Sequence, residues 1–446
     1  MASQPTPVTD GASPAPDRGT IGVLGAAAIG VGGMVGGGIF AILGTAVGLA
    51  GGSTPLAFAV AGLVAILTAY SYVKLSVRFP SAGGTIVFID RGFGVDYATG
   101  VLNLLLWLGY LVTIALYASA FAAYGLTFFP EPEPWLRHLL ITAAILVPAL
   151  LNVLDAEVVS RSETVIVVLK LLLLGVVIAA GLPHVDLGRL APDTWPPSLS
   201  ILAGGMVIFV AYEGFELIAN AADDVRRPAT TLPRAFYGCV AFVIALYVLV
   251  AVVTVGSVAP AVIARASDYA LSEAARPSLG HAGFVIVAVS ALLATLSAIN
   301  ATVYGNARLG FSLAKDGELP DVFERRTWCR PVAGVALTAA ISLLIANLVD
   351  LQAIAILGSA GFLVVFLAVN AAAFRLAPEL GANRGVCAAA ALACLGALAT
   401  LIVQTWSSSP HALLVFAGFV ALSAGFELVY PRVSGRSLEG LRRSSA

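Results

Sequence analysis

Between Gly30 and Gly38, six of nine residues are glycine, in the middle of an apolar run from about Thr20 to Leu49. A run of that length can span a bilayer. Each glycine in a helix interior costs about 0.5–1 kcal/mol relative to alanine. Three in succession, Gly36-Gly37-Gly38, invite the helix to open. An opened helix in a membrane leaves N–H and C=O groups that must find partners. It is tolerated only where protein or a watery cavity surrounds it. The rest of the chain must therefore tolerate this break and has reason to use it.

The 446 residues are 59% hydrophobic and 11% charged, with a mean hydropathy of +0.96. Soluble domains carry about 25% charge, so the chain reads as an all-α polytopic membrane protein. Twelve apolar segments recur, at about 20–49, 54–77, 95–127, 136–153, 158–182, 198–222, 234–257, 281–312, 332–349, 351–374, 384–404 and 410–430. Only Val349-Asp350 separates the ninth from the tenth. With both termini in the cytoplasm, 19 lysines and arginines fall inside and 4 outside, and Lys170 is left within a span. The positive-inside rule selects that orientation. All four histidines then sit at outer ends, which excludes a central histidine relay. Residues 1–19 and 431–446 read as cytoplasmic tails, the first disordered, with no cleaved signal peptide. Composition points to a bacterial plasma membrane.

Net charge is −1 and no basic patch appears, so the partners are the lipid bilayer and small solutes, with no nucleic acid. Cys239, Cys329, Cys387 and Cys394 form no metal-binding pattern and read as small buried apolar residues. No metal or cofactor is expected. The charged inner loop Ala314-Lys315-Asp316-Gly317-Glu318 reads as solvated, with a gating role as the alternative, and the outer stretch Ser267 to Glu273 as a short amphipathic helix.

The sixth segment turns polar at mid-span, in Phe209-Val210-Ala211-Tyr212-Glu213-Gly214-Phe215-Glu216. Carboxylates at membrane depth are expensive and face the bundle interior or water. Gly214 between them marks a second place to open. The interrupted segments are the first and sixth, so five spans make one unit, and the next unit runs inverted. Interrupted spans in corresponding places of two halves point to a secondary transporter's binding site. The expected organisation is a first inverted repeat over 20–182, a second over 198–375, and two appended helices over 384–430.

Breaking exposes backbone ends. A half-helix starting at Gly36, Gly37 and Gly38 points free N–H groups and a positive dipole end at a carboxylate. Carbonyls near Met34 and over Phe209 to Tyr212 suit an ammonium group. Together the two ends describe an amino acid. The competing explanation for the glycines is close helix packing.

These residues resemble the amino acid–polyamine–organocation superfamily. Gly36-Gly37-Gly38-Ile39-Phe40 is similar to its first-helix motif. Arg78-Phe79-Pro80-Ser81-Ala82-Gly83-Gly84 resembles its signature after the second helix. Phe209 to Glu216 with Asp223-Asp224-Val225-Arg226-Arg227-Pro228 is similar to its sixth helix and following loop, and Ala314 to Pro320 to its loop after the eighth. The resemblance implies the leucine-transporter fold with a 5+5 inverted repeat, and alternating access. It implies that Gly36, Gly37 and Gly38 bind the substrate carboxylate and that carbonyls near Met34, Phe209, Val210 and Glu213 bind its amine. Glu216 matches a proton-sensing position of arginine/agmatine exchangers.

Lys170 lies about twelve positions from either end of its span. A charged lysine there costs on the order of 3 kcal/mol, and a buried lysine can exchange its proton near neutral pH. Its surroundings resemble the fifth helix of proton-coupled amino-acid permeases, where a lysine takes the coupling role. The expected partners are the Gly32 carbonyl and a hydroxyl of the eighth segment, Ser297 or Thr295. The alternatives are a lysine reaching for an interface and a fixed ion pair with a buried carboxylate such as Glu213. Ile39, Phe209, Tyr212, Tyr110, Tyr117, Asn300 and Asn306 are candidate pocket walls. Proton-coupled symport of a neutral amino acid is the leading expectation, and exchange of a cationic amino acid or polyamine the alternative. No nucleophile or dyad suits an enzyme, and no added module suits a receptor.

Overall fold

The computed structural model describes residues 19–154, 156–315, 317–320, 323 and 332–434. Residues 1–18 of the disordered tail expected over 1–19, the end of the second tail from 435, Asp316 and Cys329 lie outside the described residues. Within them every regular element is helical, and one isolated parallel bridge joins Ile21 to Val225. The helices are α1 (Val23–Met34), α2 (Gly38–Ala50), α3 (Thr54–Arg78), α4 (Thr85–Phe93), α5 (Tyr97–Leu126), α6 (Pro134–Leu154), α7 (Ala156–Gly181) and α8 (Ser198–Ile208). After 3-10 helices over Phe209–Tyr212 and Phe215–Asp224 come α9 (Pro228–Ser257), α10 (Pro260–Arg265), α11 (Ala270–Lys315), α12 (Val332–Leu348), α13 (Leu351–Arg375), α14 (Ala377–Leu380), α15 (Arg384–Ser408) and α16 (Pro410–Ser434). Ten apolar helical runs among the described residues are long enough to cross a membrane, one of them holding both α2 and α3. Val23–Met34 and Val332–Leu348 are shorter apolar helices. The chain is a multi-pass, all-helical membrane protein.

Sorting by burial places the site. Every residue of α5 from Asn103 to Ala120 is buried, as befits a helix that is apolar all round. Its start is fixed by a capping box, in which Asp96 accepts from the amides of Ala98 and Thr99 while Thr99 Oγ1 accepts from the Asp96 amide. Around it pack α6, α11, α12, α13 and α16. Exposed leucines on α6, α7, α15 and α16, such as Leu150, Leu172, Leu392 and Leu414, give the outer surface an apolar character suited to lipid. The broken segments lie inside, with α2 buried continuously from Gly38 to Gly44.

Three ties hold the broken segments at their ends. At one end the amides of Thr20 and Ile21 donate to Asp224 O at 2.9 and 3.0 Å, and Arg226 N donates to Ile21 O at 2.9 Å. Nearby, the signature turn Ser81 to Gly84 closes with Gly83 N donating to Ser81 Oγ at 2.9 Å and lies directly on Asn220. At the other end the 3-10 turn Ser267–Tyr269 rests on α2, so closely that a Cβ on Gly44 would stand 2.4 Å from Ser267 Cα.

Three sequence expectations change in detail. The short helix expected over Ser267 to Glu273 is a 3-10 turn followed by the first turns of α11, which bends at Gly280 (φ 60°, ψ −149°). The second half of the sixth segment is a 3-10 helix. The boundary at Val349-Asp350 is distinct, because Asp350 Oδ1 accepts from Ala353 N at 2.9 Å and starts α13.

Candidate functional site

The first break opens after Met34. Val35 N still closes on Val31 O at 2.8 Å, then Gly36 and Gly37 leave the helix, and α2 restarts at Gly38. The first N–H groups of a helix have no partner within it. Among the described residues the amides of Gly36, Gly37 and Gly38 meet no protein acceptor. Side chains cover this break. An added Cβ on Gly37 would lie 2.4 Å from Tyr117 Cδ1 and 3.0 Å from Thr295 Cγ2, and one on Gly36 would lie 2.8 Å from Ala298 Cβ. Ile39 follows, fully buried.

The second break spans Phe209 to Gly214. Helix α8 tightens into a 3-10 turn, Glu213 is extended, and Gly214 takes a left-handed φ of 118° that a side chain would strain. Here side chains replace the missing helical partners. Val210 N donates to Ser359 Oγ of α13 at 3.0 Å, and that hydroxyl donates to Val207 O at 3.0 Å. Gly214 N donates to Glu216 Oε2 at 2.7 Å.

The breaks touch each other. A Cβ on Gly214 would stand 2.5 Å from Gly33 C, and one on Gly38 would stand 2.8 Å from Ala211 Cα. Close packing therefore accounts for Gly33 and Gly38 as well as for Gly30, which faces Ile218 and Cys239. Helix α5 reads both carboxylates from positions three apart on one face. Thr113 Oγ1 donates to Glu213 Oε2 at 2.8 Å, and Tyr110 OH donates to Glu216 Oε1 at 3.3 Å.

Lys170 is buried, 1% exposed, and its Nζ donates to Gly32 O at 3.1 Å. The interface-seeking alternative does not fit that burial. Glu213, named as a carboxylate for a fixed pair, accepts from Thr113 Oγ1 at 2.8 Å. Thr295, expected as a lysine partner, directs its hydroxyl to Ala291 O at 2.7 Å and Leu292 O at 3.1 Å of its own helix, with its methyl toward Gly37. Ser297 is buried on the same helix.

Other expected site residues have protein partners of their own. The Met34 carbonyl takes the Tyr247 hydroxyl at 2.5 Å, and the Val210 carbonyl accepts from Glu213 N at 3.3 Å, so neither is an idle acceptor. Tyr212 donates to Phe58 O at 2.9 Å, and the Phe209 ring packs edge-on against Phe366 at 5.9 Å. Asn300 and Asn306 bond between helices, to Asn152 at 2.8 Å and Thr338 at 3.3 Å, as polar ties in a membrane bundle do. Thr113, Tyr247 and Ser359 escaped the sequence reading, since single hydroxyls in apolar helices carry no periodic signal.

The amino acid permease family profile matches residues 21–420. An uncharacterised protein of Methanocaldococcus jannaschii is 35% identical over 417 residues, 92% of this chain and 95% of its own length. The inner membrane transport protein YbaT of Escherichia coli is 34% identical over 415 residues, 92% of this chain and 96% of its own. Cationic amino acid transporter 9 of Arabidopsis chloroplasts is 27% identical over 325 residues, 68% of this chain and 57% of its own.

Proposed function

The chain belongs to the amino acid permease family, and we propose that it carries neutral amino acids across a plasma membrane with protons, by alternating access. One observation carries this reading: acceptor-free amides at Gly36 to Gly38 lie beside the carbonyl-lined second break, while Lys170 holds the carbonyl of Gly32 one turn away. Amides at a helix start suit a carboxylate, and carbonyls suit an ammonium. The substrate contacts are Met34, Gly36, Gly37, Gly38, Ile39, Phe209, Val210, Tyr212 and Glu213. The coupling group is Lys170 with Gly32, Ser297, Thr295 and Glu216.

In this reading 20–182 and 198–375 are inverted halves of a twelve-span, leucine-transporter-like fold, and 384–430 is appended. Both termini face the cytoplasm, as the 19-to-4 split of basic residues favours. A protonated Lys170 holds Gly32 and with it the end of α1. Loss of the proton weakens that hold and lets the break rearrange. The same broken segment thereby touches both substrate and coupling charge.

Two buried glutamates at the second break favour a second reading, exchange of a cationic amino acid or polyamine. A relative named as a cationic amino acid transporter accords with it.

Uptake of labelled amino acids into proteoliposomes decides between them. The proposal expects uptake of a neutral amino acid that rises with an inward proton gradient. Uptake that needs an amine inside the vesicle selects exchange. No uptake of any amino acid or amine refutes both.

A further inference from the structure

Two carbonyls lose their helical donors at the breaks. In an unbroken helix Met34 O would meet the amide of Gly38, and Ala211 O that of Phe215. One phenol serves both instead. The hydroxyl of Tyr247, in α9, lies 2.5 Å from Met34 O and 3.1 Å from Ala211 O. A phenol has a single proton to donate, while each carbonyl has two lone pairs. Two acceptors that the breaks set free thus share one donor. The ring is held firmly: it is fully buried and edge-on to Phe58 at 5.8 Å and Tyr212 at 5.2 Å. The acceptor-free amides are adjacent, since Gly38 packs on Ala211.

We infer that Tyr247 is a specificity-determining residue of the amine subsite, selecting a primary ammonium over an N-alkylated one. The inference rests on the amino-acid reading above and names the substrate class of that site. Tyr247 fixes the spacing of the two carbonyls and adds its own oxygen as a third acceptor. Three acceptors around one nitrogen match the three N–H bonds of a primary ammonium. An N-methyl group leaves one acceptor unmatched and meets the aromatic wall of Tyr247, Phe58 and Tyr212. A site built to hydrogen-bond its ligand rejects analogues that leave a buried polar group unpaired.

The test uses the full-length protein in proteoliposomes, with L-alanine as labelled substrate and N-methyl-L-alanine as competitor. The readout is the ratio of the two inhibitory concentrations, N-methyl-L-alanine over unlabelled L-alanine. In the wild type the ratio is well above one. In Tyr247→Phe, which keeps the ring, it falls roughly tenfold, the scale of one hydrogen bond. Tyr124→Phe removes a comparable buried phenol, which donates to Phe40 O at 3.2 Å, and leaves the ratio unchanged. A merely structural Tyr247 would lower the melting temperature and not the ratio. An unchanged ratio in Tyr247→Phe overturns the inference. So does equal inhibition of the wild type by both compounds, which needs no variant to fold. In a wild type that ignores L-alanine the pair is an amino acid that it does take up and its Nα-methyl derivative, read by the same ratio. Uptake of no amino acid or amine by the wild type fails the functional reading and the inference with it.

Discussion

The first break opens on glycine: among the described residues the amides of Gly36 to Gly38 meet no protein acceptor, and Lys170 bonds to the preceding turn at Gly32 O. The second break is wrapped in side chains. Ser359 takes the amide of Val210, Glu216 takes that of Gly214, and Thr113 and Tyr110 hold the two carboxylates against α5. A helix broken by missing side chains keeps its polar backbone available to a ligand. A helix broken around carboxylates consumes much of its backbone in its own repair. The pair thus divides the work: the first break leaves buried amides without protein acceptors among the described residues, and the second holds its backbone with side chains beside it.

That contrast can be broken experimentally. The largest effect is expected where the two breaks meet. Gly214→Ala forces a side chain into a φ of 118° and to within 2.5 Å of Gly33 C, and should destabilise by more than about 2 kcal/mol. Folded protein on size exclusion and uptake should both collapse. Gly305→Ala, at a position with open space around it, is the control. A well-folded, active Gly214→Ala would mean that the breaks do not need this contact.

Thr113→Val comes next. It keeps the shape of the side chain and removes the donor to the buried Glu213 carboxyl, leaving a buried acceptor unpaired at a cost of about 1–3 kcal/mol. Thr254→Val, whose hydroxyl donates to Val250 O one turn back, should cost much less. Equal shifts in melting temperature for the two would show that α5 does not restrain the carboxylate. The smallest effect belongs to Ser359→Ala. It loses two neutral hydrogen bonds at the second break, about 1–2 kcal/mol in all. Thermal unfolding that matches the wild type would remove Ser359 from the account.

The difference between the breaks also explains what could be read from the sequence. Six glycines in nine residues are a loud signal, and so are two glutamates in an apolar segment. Segment boundaries followed apolar runs and fell within a few residues of the helices, as at 351–374 for Leu351–Arg375. Lys170 found the carbonyl of Gly32 because a lysine at that depth needs an acceptor and a broken helix supplies one. The repair groups were silent. Ser359 and Thr113 are ordinary small residues in apolar helices, and Tyr247 looks like any buried aromatic. Only the path of the backbone shows which orphaned groups they meet. For the same reason Met34 O looked free in the sequence and is shared with a tyrosine in the structure.

The central claim is that Lys170 couples protons to the first break through Gly32. It is tested most directly by the pH dependence of amino-acid uptake in wild type and Lys170→Ala. The account predicts that wild-type uptake rises with an inward proton gradient, and that Lys170→Ala still exchanges substrate across the vesicle membrane but no longer responds to the gradient or to pH. A Lys170→Ala protein that keeps the full proton dependence would contradict it.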